Sequence, residues 1–158
     1  MFRKNAKRTM LLRNQFDRRA ERGQVVDIRG MRTNRARQSP LLIATLLTAV
    51  VIAIHVYIVL IETVLFRTRG RKVFGLKDGQ VDALAPLMSN QGCYNGFLAA
   101  MLAVGLLHPQ PYTGRAFVVF GLVCVAIAGV WGAATVSRRI LVVQTVPAVL
   151  ALGTLLLA

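Results

Sequence analysis

Four long apolar runs, separated by polar links and clusters of basic residues, constrain what this chain can fold into. Leu41 to Phe66 is interrupted only by Thr45, Thr48, His55, Tyr57, Glu62 and Thr63. A bilayer core of roughly 30 Å is crossed by about 20 helical residues, so this run reads as a span with some excess for tilt. Pro40 suits its first turn, and Arg67, Arg69, Arg71 and Lys72 stop it. Residues 73–87 read as a connection containing a short interfacial helix, with Phe74 and Leu76 dipping toward headgroups. A second span runs from about Asn90 to Leu107, about 27 Å at roughly 1.5 Å per residue. The stretch from His108 to Arg115 is rich in helix breakers. Ala116 to Val136 makes a third span, Ser137-Arg138-Arg139 a tight turn, and Ile140 to Ala158 a fourth span that carries Pro147. The fold class expected is all-α: an integral membrane antiparallel four-helix bundle with spans at about 41–66, 90–107, 116–136 and 140–158. A basic, disordered N-terminal tail over residues 1–40 precedes it.

The 158 residues make room for one membrane domain, and a hydrophobic fraction of 55% exceeds what a soluble core of this size needs. The net charge of +14 is unevenly spread. Of the 20 Lys and Arg residues, twelve precede Ser39, seven lie in the patches Arg67 to Lys77 and Arg138-Arg139, and Arg115 stands alone. Basic clusters between apolar runs point to lipid headgroups and topology before nucleic acid. Cys93 and Cys124 differ too much in depth for a disulfide and read as small packing residues. Neither a paired-cysteine or Cys/His ligand spacing nor a glycine-rich phosphate loop occurs, so no metal and no cofactor is expected.

Three readings compete for residues 1–40. One is a disordered tail lying on anionic lipid. A second is a nucleic-acid-binding arm, for which only Phe2 and Phe16 could stack on bases, so no nucleic acid is expected as a partner. The third is an upstream start, with translation beginning at Met31 or nearby. The run that follows is too long for the core of a cleaved signal peptide.

The spans have two sides. On the side of the 67–89 connection lie Glu62, Asn90, Gln91, Tyr94, Asn95, Thr135, Ser137 and Gln144, a single polar layer. His55 sits seven residues before Glu62, on the same helical face and about 10 Å deeper. Ionisable groups inside a membrane are costly and usually face partners or water, so His55 and Glu62 are candidate functional groups. Each also has a plain reading. Glu62 could pair with Arg67 or Arg69, and His55 could be a neutral imidazole bonded within the bundle. Tyr57, two residues on, faces elsewhere. Asn90, Gln91, Tyr94, Asn95 and Gln144 either bond helix to helix or line a pocket for the polar head of a lipid-like molecule. Arg67, Arg69, Arg71, Lys72, Arg138 and Arg139 are placed to contact headgroups. Small-residue pairs four apart (Gly96/Ala100, Ala99/Ala103, Ala128/Gly132, Gly129/Ala133) let helices approach closely.

Several motifs resemble those of the domain-of-unknown-function 1304 family of small four-span membrane proteins. They are His55-Val-Tyr-Ile-Val-Leu-Ile-Glu62, Arg69-Gly-Arg-Lys-Val-Phe-Gly-Leu76, Asn90-Gln-Gly-Cys-Tyr-Asn-Gly-Phe97, and Gly132-Ala-Ala-Thr-Val-Ser137 followed by Gln144 and Pro147. The resemblance covers about residues 41–158 and carries no established activity. It implies that the polar layer is part of what defines the family, and it favours a start close to the first span.

Cytoplasmic loops are enriched in Lys and Arg. The side holding the 67–89 connection carries Arg67, Arg69, Arg71, Lys72, Lys77, Arg138 and Arg139. The other carries Arg115 with Arg22, Arg29, Arg32, Arg35 and Arg37, nearly a tie. Without the residues before Met31 the balance favours a cytoplasmic 67–89 connection in a multi-pass protein of the cell membrane, the orientation expected here; with the full tail, twelve basic residues are hard to translocate and the orientation reverses. Three functions remain open: binding or transport of a small amphipathic ligand, proton transfer on a lipid-like substrate by Glu62 and His55, and a structural or assembly role. Membrane lipids are the expected partners, and four short helices are open to association with a second copy.

Overall fold

The computed structural model describes the backbone of residues 2–157 and the side chains of residues 13–15, 17–19, 38–77 and 79–157. The described residues are all-α. By its internal contacts the chain divides into two units, Met1–Ser39 and Pro40–Ala158.

The first unit lies within α1, Phe2–Glu62. The tail expected to be disordered is therefore helical. Its Arg, Lys, Leu, Met and Gln residues lose little rotamer freedom in a helix, and Asp17 follows Arg13 by one turn, a spacing that supports one. Arg18 lies back along the helix, its Nε donating to the Asn14 carbonyl at 3.4 Å. Most of the tail's basic side chains fall outside the described residues, and with them the expected lipid contacts. Pro40, expected in a first turn, lies inside α1.

In the second unit, residues 40–62 of α1 bury Ala44, Thr48, Val51, His55 and Glu62, a single face, and expose Leu42, Leu46, Val50, Val56 and Leu60. The end of α1 is wound wide. Leu65 N–H donates to the Leu60 carbonyl at 2.8 Å and Gly70 N–H to that of Leu65 at 2.9 Å, both five residues back. The second bond belongs to a π-helical turn, Phe66–Gly70. A Cβ at Gly70 would collide with the Ile61 carbonyl, so this turn can fold against its own helix only with glycine there. One turn, α2 (Arg71–Val73), follows. Gly75, at φ 66°, takes a left-handed conformation that L side chains rarely adopt.

Helix α3 runs Asp78–Leu107, starting well before the expected Asn90. Its first turn is capped by Lys77 N–H donating to the Gln80 side chain at 2.9 Å. Pro86, read from sequence as part of a connection, is inside the helix. The Asn90–Phe97 stretch therefore lies in mid-helix, not at a helix mouth. Helix α4, Pro111–Thr135, likewise starts earlier than the expected Ala116, because Pro111 occupies the first helical position, where its missing N–H is no loss. Helices α3 and α4 are closest near their short link. A Cβ on Gly114 would lie 2.6 Å from the Gly105 carbonyl oxygen, and one on Gly121 2.7 Å from Leu102 Cδ2.

The fourth apolar run, expected as one helix, begins as a π-helical segment, Leu141–Thr145, and continues as α5, Val146–Leu156. Pro147 in a regular helix would crowd the carbonyl of Val143 and donate nothing to it. The wider winding just ahead of it relieves that crowding. Thr145 Oγ1 donates to the Ala126 carbonyl at 3.2 Å, and Arg115 Nη2 donates to the Leu155 carbonyl at 2.8 Å. Arg115 thus satisfies one of the carbonyls that the end of α5 leaves open. All four apolar segments supply the core: Ala44 and Val51 from α1, Leu102 from α3, Val118, Leu122 and Val125 from α4, and Ala148, Ala151 and Leu155 from α5.

Candidate functional site: a buried polar stripe between α1 and α3

The inner face of α1 carries Thr48, His55 and Glu62 at seven-residue steps, two helical turns apart. Helix α3 reaches this face through Gly92. A Cβ there would stand 2.6 Å from Thr63 Cγ2 and 3.2 Å from Glu62 Cβ, while one on Gly96 would meet only Val59 Cγ2, at 3.8 Å. Glycine at 92 is what lets Asn95, one turn on, reach the carboxylate. Asn95 Nδ2 donates to Glu62 Oε2 at 2.7 Å and to the Gln91 carbonyl at 3.2 Å. Both side chains are buried, Glu62 at 6% and Asn95 at 5% exposure. These contacts, with Gly96 facing Val59, run antiparallel along the two helices.

His55 is fully enclosed. Its Nδ1 lies 2.9 Å from the Val51 carbonyl. A carbonyl can only accept, so the proton is assigned to Nδ1 and the bare lone pair to Nε2. Among the described residues Nε2 has no partner. Thr48 Oγ1 donates within its own helix, to the Ala44 carbonyl at 2.8 Å.

Of the residues singled out in the sequence, the structure joins Glu62 and Asn95 directly and sets His55 on the same buried face. Asn90, Gln91 and Tyr94 are exposed. On α3, positions 92, 95, 99 and 102 turn inward, which puts 90, 94 and 97 outside. Tyr94 packs edge-on against Phe97, ring centroids 6.1 Å apart, and Gln91 joins the stripe only through its backbone carbonyl. Gln144 is half-buried in the π-helical segment, where its Cβ faces Gly129. Tyr57 is exposed, as its offset from His55 implies.

Arg67 does not pair with Glu62. It forms an ion pair with Asp82 on the surface. Arg69, Lys72, Arg138 and Arg139 are exposed and Arg71 is half-buried. Cys93 and Cys124 are free thiols. Among the described residues, no group of three metal-ligating side chains converges. Sequence reading missed Thr48 and Gly92. Thr48 had a signal, since it continues the seven-residue step; Gly92 had none, since the sequence does not mark Asn95, one turn on, as the amide that is buried.

The family model described as "Protein of unknown function (DUF1304)" matches residues 49–156. The chain belongs to that family. The matched region of this DUF1304 member takes in His55, Glu62, Gly92 and Asn95 and leaves out Thr48 and the basic tail. No curated protein and no solved structure matches the chain.

Proposed function

We propose that the chain is a multi-pass integral membrane protein that holds a small amphipathic ligand at the Glu62–Asn95–His55 stripe. In this reading residues 40–62, the later part of α3, α4, and the π-helical segment with α5 cross the bilayer as four spans. Two stretches, Gln38–Glu62 and Pro111–Thr135, are long and apolar enough to cross, and Leu141–Leu156 is a shorter apolar helix. The core helix of a soluble protein would be mostly covered, yet only 22% and 28% of the apolar windows in the two long stretches are buried. Leu42, Leu46, Phe97, Phe120, Ile127, Val142 and Leu150 all stand outward. A continuous apolar exterior of this kind suits hydrocarbon better than water. The amides and glycines of Asn90–Gly96 dilute the apolarity of α3. They serve the stripe on one side and headgroup depth on the other, where Tyr94 suits an aromatic belt.

The observation that carries the ligand reading is the fully buried imidazole with an unpartnered acceptor, on the same face as a buried carboxylate. A chain using these groups only as glue between helices would be expected to satisfy each of them. The enzyme reading has less support, since His55 and Glu62 are about 10 Å apart along the helix and cannot serve one reacting atom directly.

The test is native mass spectrometry of the protein purified in mild detergent, comparing the unaltered chain with Glu62→Gln and Asn95→Ala. The expected result is a small molecule or lipid retained by the unaltered chain and lost from both variants. If all three carry the same generic lipids while the variants are merely less stable, the stripe is structural and the ligand reading is wrong.

A further inference from the structure

The described donors of the polar stripe are already committed. Asn95 Nδ2 serves Glu62 and the Gln91 carbonyl. His55 Nδ1–H serves the Val51 carbonyl, and the hydroxyls of Thr48 and Thr63 serve the carbonyls of Ala44 and Val59. The nearest basic side chain in sequence, Arg67, is held by Asp82. What remains is acceptor capacity. His55 Nε2 is buried and unpartnered. Glu62 accepts one described side-chain bond, through Oε2, leaving Oε1, and the Asn95 carbonyl oxygen Oδ1 receives none among the described residues.

Resting on the ligand reading above, we propose that the stripe takes a molecule whose polar end donates hydrogen bonds, an alcohol or protonated amine on an apolar body. Carboxylates, phosphates and ketones bring lone pairs to a face that already presents three acceptor atoms, and they leave Nε2 of His55 unpaired. A hydroxyl supplies the missing donor to Nε2. An ammonium supplies that donor as well, as a charge-assisted bond. The apolar body lies against the Val, Leu and Ala side chains that surround the stripe on α1 and α3.

Three probes with one apolar body separate these chemistries: dodecanol, dodecylamine and dodecanoate. The readout is the imidazole nitrogen NMR spectrum of the histidine-labelled full chain in mild detergent. The chain has 2 histidines, so the spectrum holds two imidazoles, with His108 at the α3–α4 link as internal reference. Dodecanol or dodecylamine is expected to shift the His55 Nε2 signal and leave His108 in place. Dodecanoate should require a concentration higher by about tenfold or more, the scale of one lost hydrogen bond. A response to dodecanoate at equal or lower concentration overturns the donor assignment but leaves a ligand site standing. If none of the three moves His55, the donor assignment is refuted, while the co-purification experiment reports separately on whether any ligand is held.

Discussion

Removing the amide of Asn95 tests what joins residues 40–62 of α1 to α3. Asn95→Ala deletes one buried 2.7 Å hydrogen bond to Glu62 and a bond within α3 to the Gln91 carbonyl, and it leaves the carboxylate without its donor. Hydrogen bonds to charged groups contribute about 1.5–3 kcal/mol in soluble proteins. Between helices in lipid they average about 0.6 and reach about 1.7 kcal/mol, because the separated helices find other partners. On the proposed membrane reading, and with both groups almost fully covered, the upper part of the lipid range is the one to use, and stranding the carboxylate adds to it. Asn95→Ala should therefore destabilise by about 2 kcal/mol. Glu62→Gln keeps an acceptor oxygen and should cost less than about 1 kcal/mol. With Gln at position 62, losing Asn95 should matter less, giving a coupling of about 1 kcal/mol in the double-mutant cycle. Asn90→Ala is the control: an exposed amide on the same helix, expected to stay within about 0.5 kcal/mol. The assay is reversible unfolding by denaturing detergent in mixed micelles, followed by circular dichroism. If Asn95→Ala is no worse than Asn90→Ala, or the cycle shows no coupling, the pair does not tie the helices and the stripe loses its structural basis.

Gly114→Ala and Gly153→Ala should move stability in opposite directions by the same assay. At Gly114 the new Cβ meets a backbone carbonyl that cannot yield, an overpacking cost of about 1–3 kcal/mol, whereas Gly153 has open space and gains about 0.5–1 kcal/mol from helix propensity. In a cysteine-free background, Gly79→Cys and Arg138→Cys should react with a membrane-impermeant thiol reagent from one side, and Gln110→Cys from the other. The basic residues around the 67–89 connection predict that the first two face the cytoplasm. Labelling of Gly79→Cys and Arg138→Cys from opposite sides would refute the four-span arrangement.

The apolar runs and their order were legible because burial needs many like residues, and a run of them survives local detail. Helix boundaries were less so. The start of α3 was placed at Asn90 because Pro86 and the polar residues before it resemble a link. The cap from Gln80 to Lys77 outweighs them and was visible as a glutamine three residues after a helix start. The tail was read as disordered from its charge, although its straight-chain residues also favour a helix. The π-helical windings at Phe66–Gly70 and Leu141–Thr145 were not legible. The first accompanies a close approach to the Ile61 carbonyl that appears only once the chain has folded back, and the second lies just ahead of Pro147, whose position does not by itself say how the helix will accommodate it.

The site emerged smaller than its sequence outline for a reason of helical geometry. Polar residues within a few positions of one another look like one layer, but a helix distributes them around its axis. Only Asn95 of the amide-rich stretch shares the inner face with Gly92, Ala99 and Leu102. Asn90, Gln91 and Tyr94 are left on the exterior. The stripe on α1 was easier to read, because a step of seven residues returns nearly to the same face whatever the exact helix boundary. Position 92 completes the arrangement. A side chain there would push α3 off Glu62 and Thr63, so the one pairing that crosses between the helices depends on a residue with no polar group of its own.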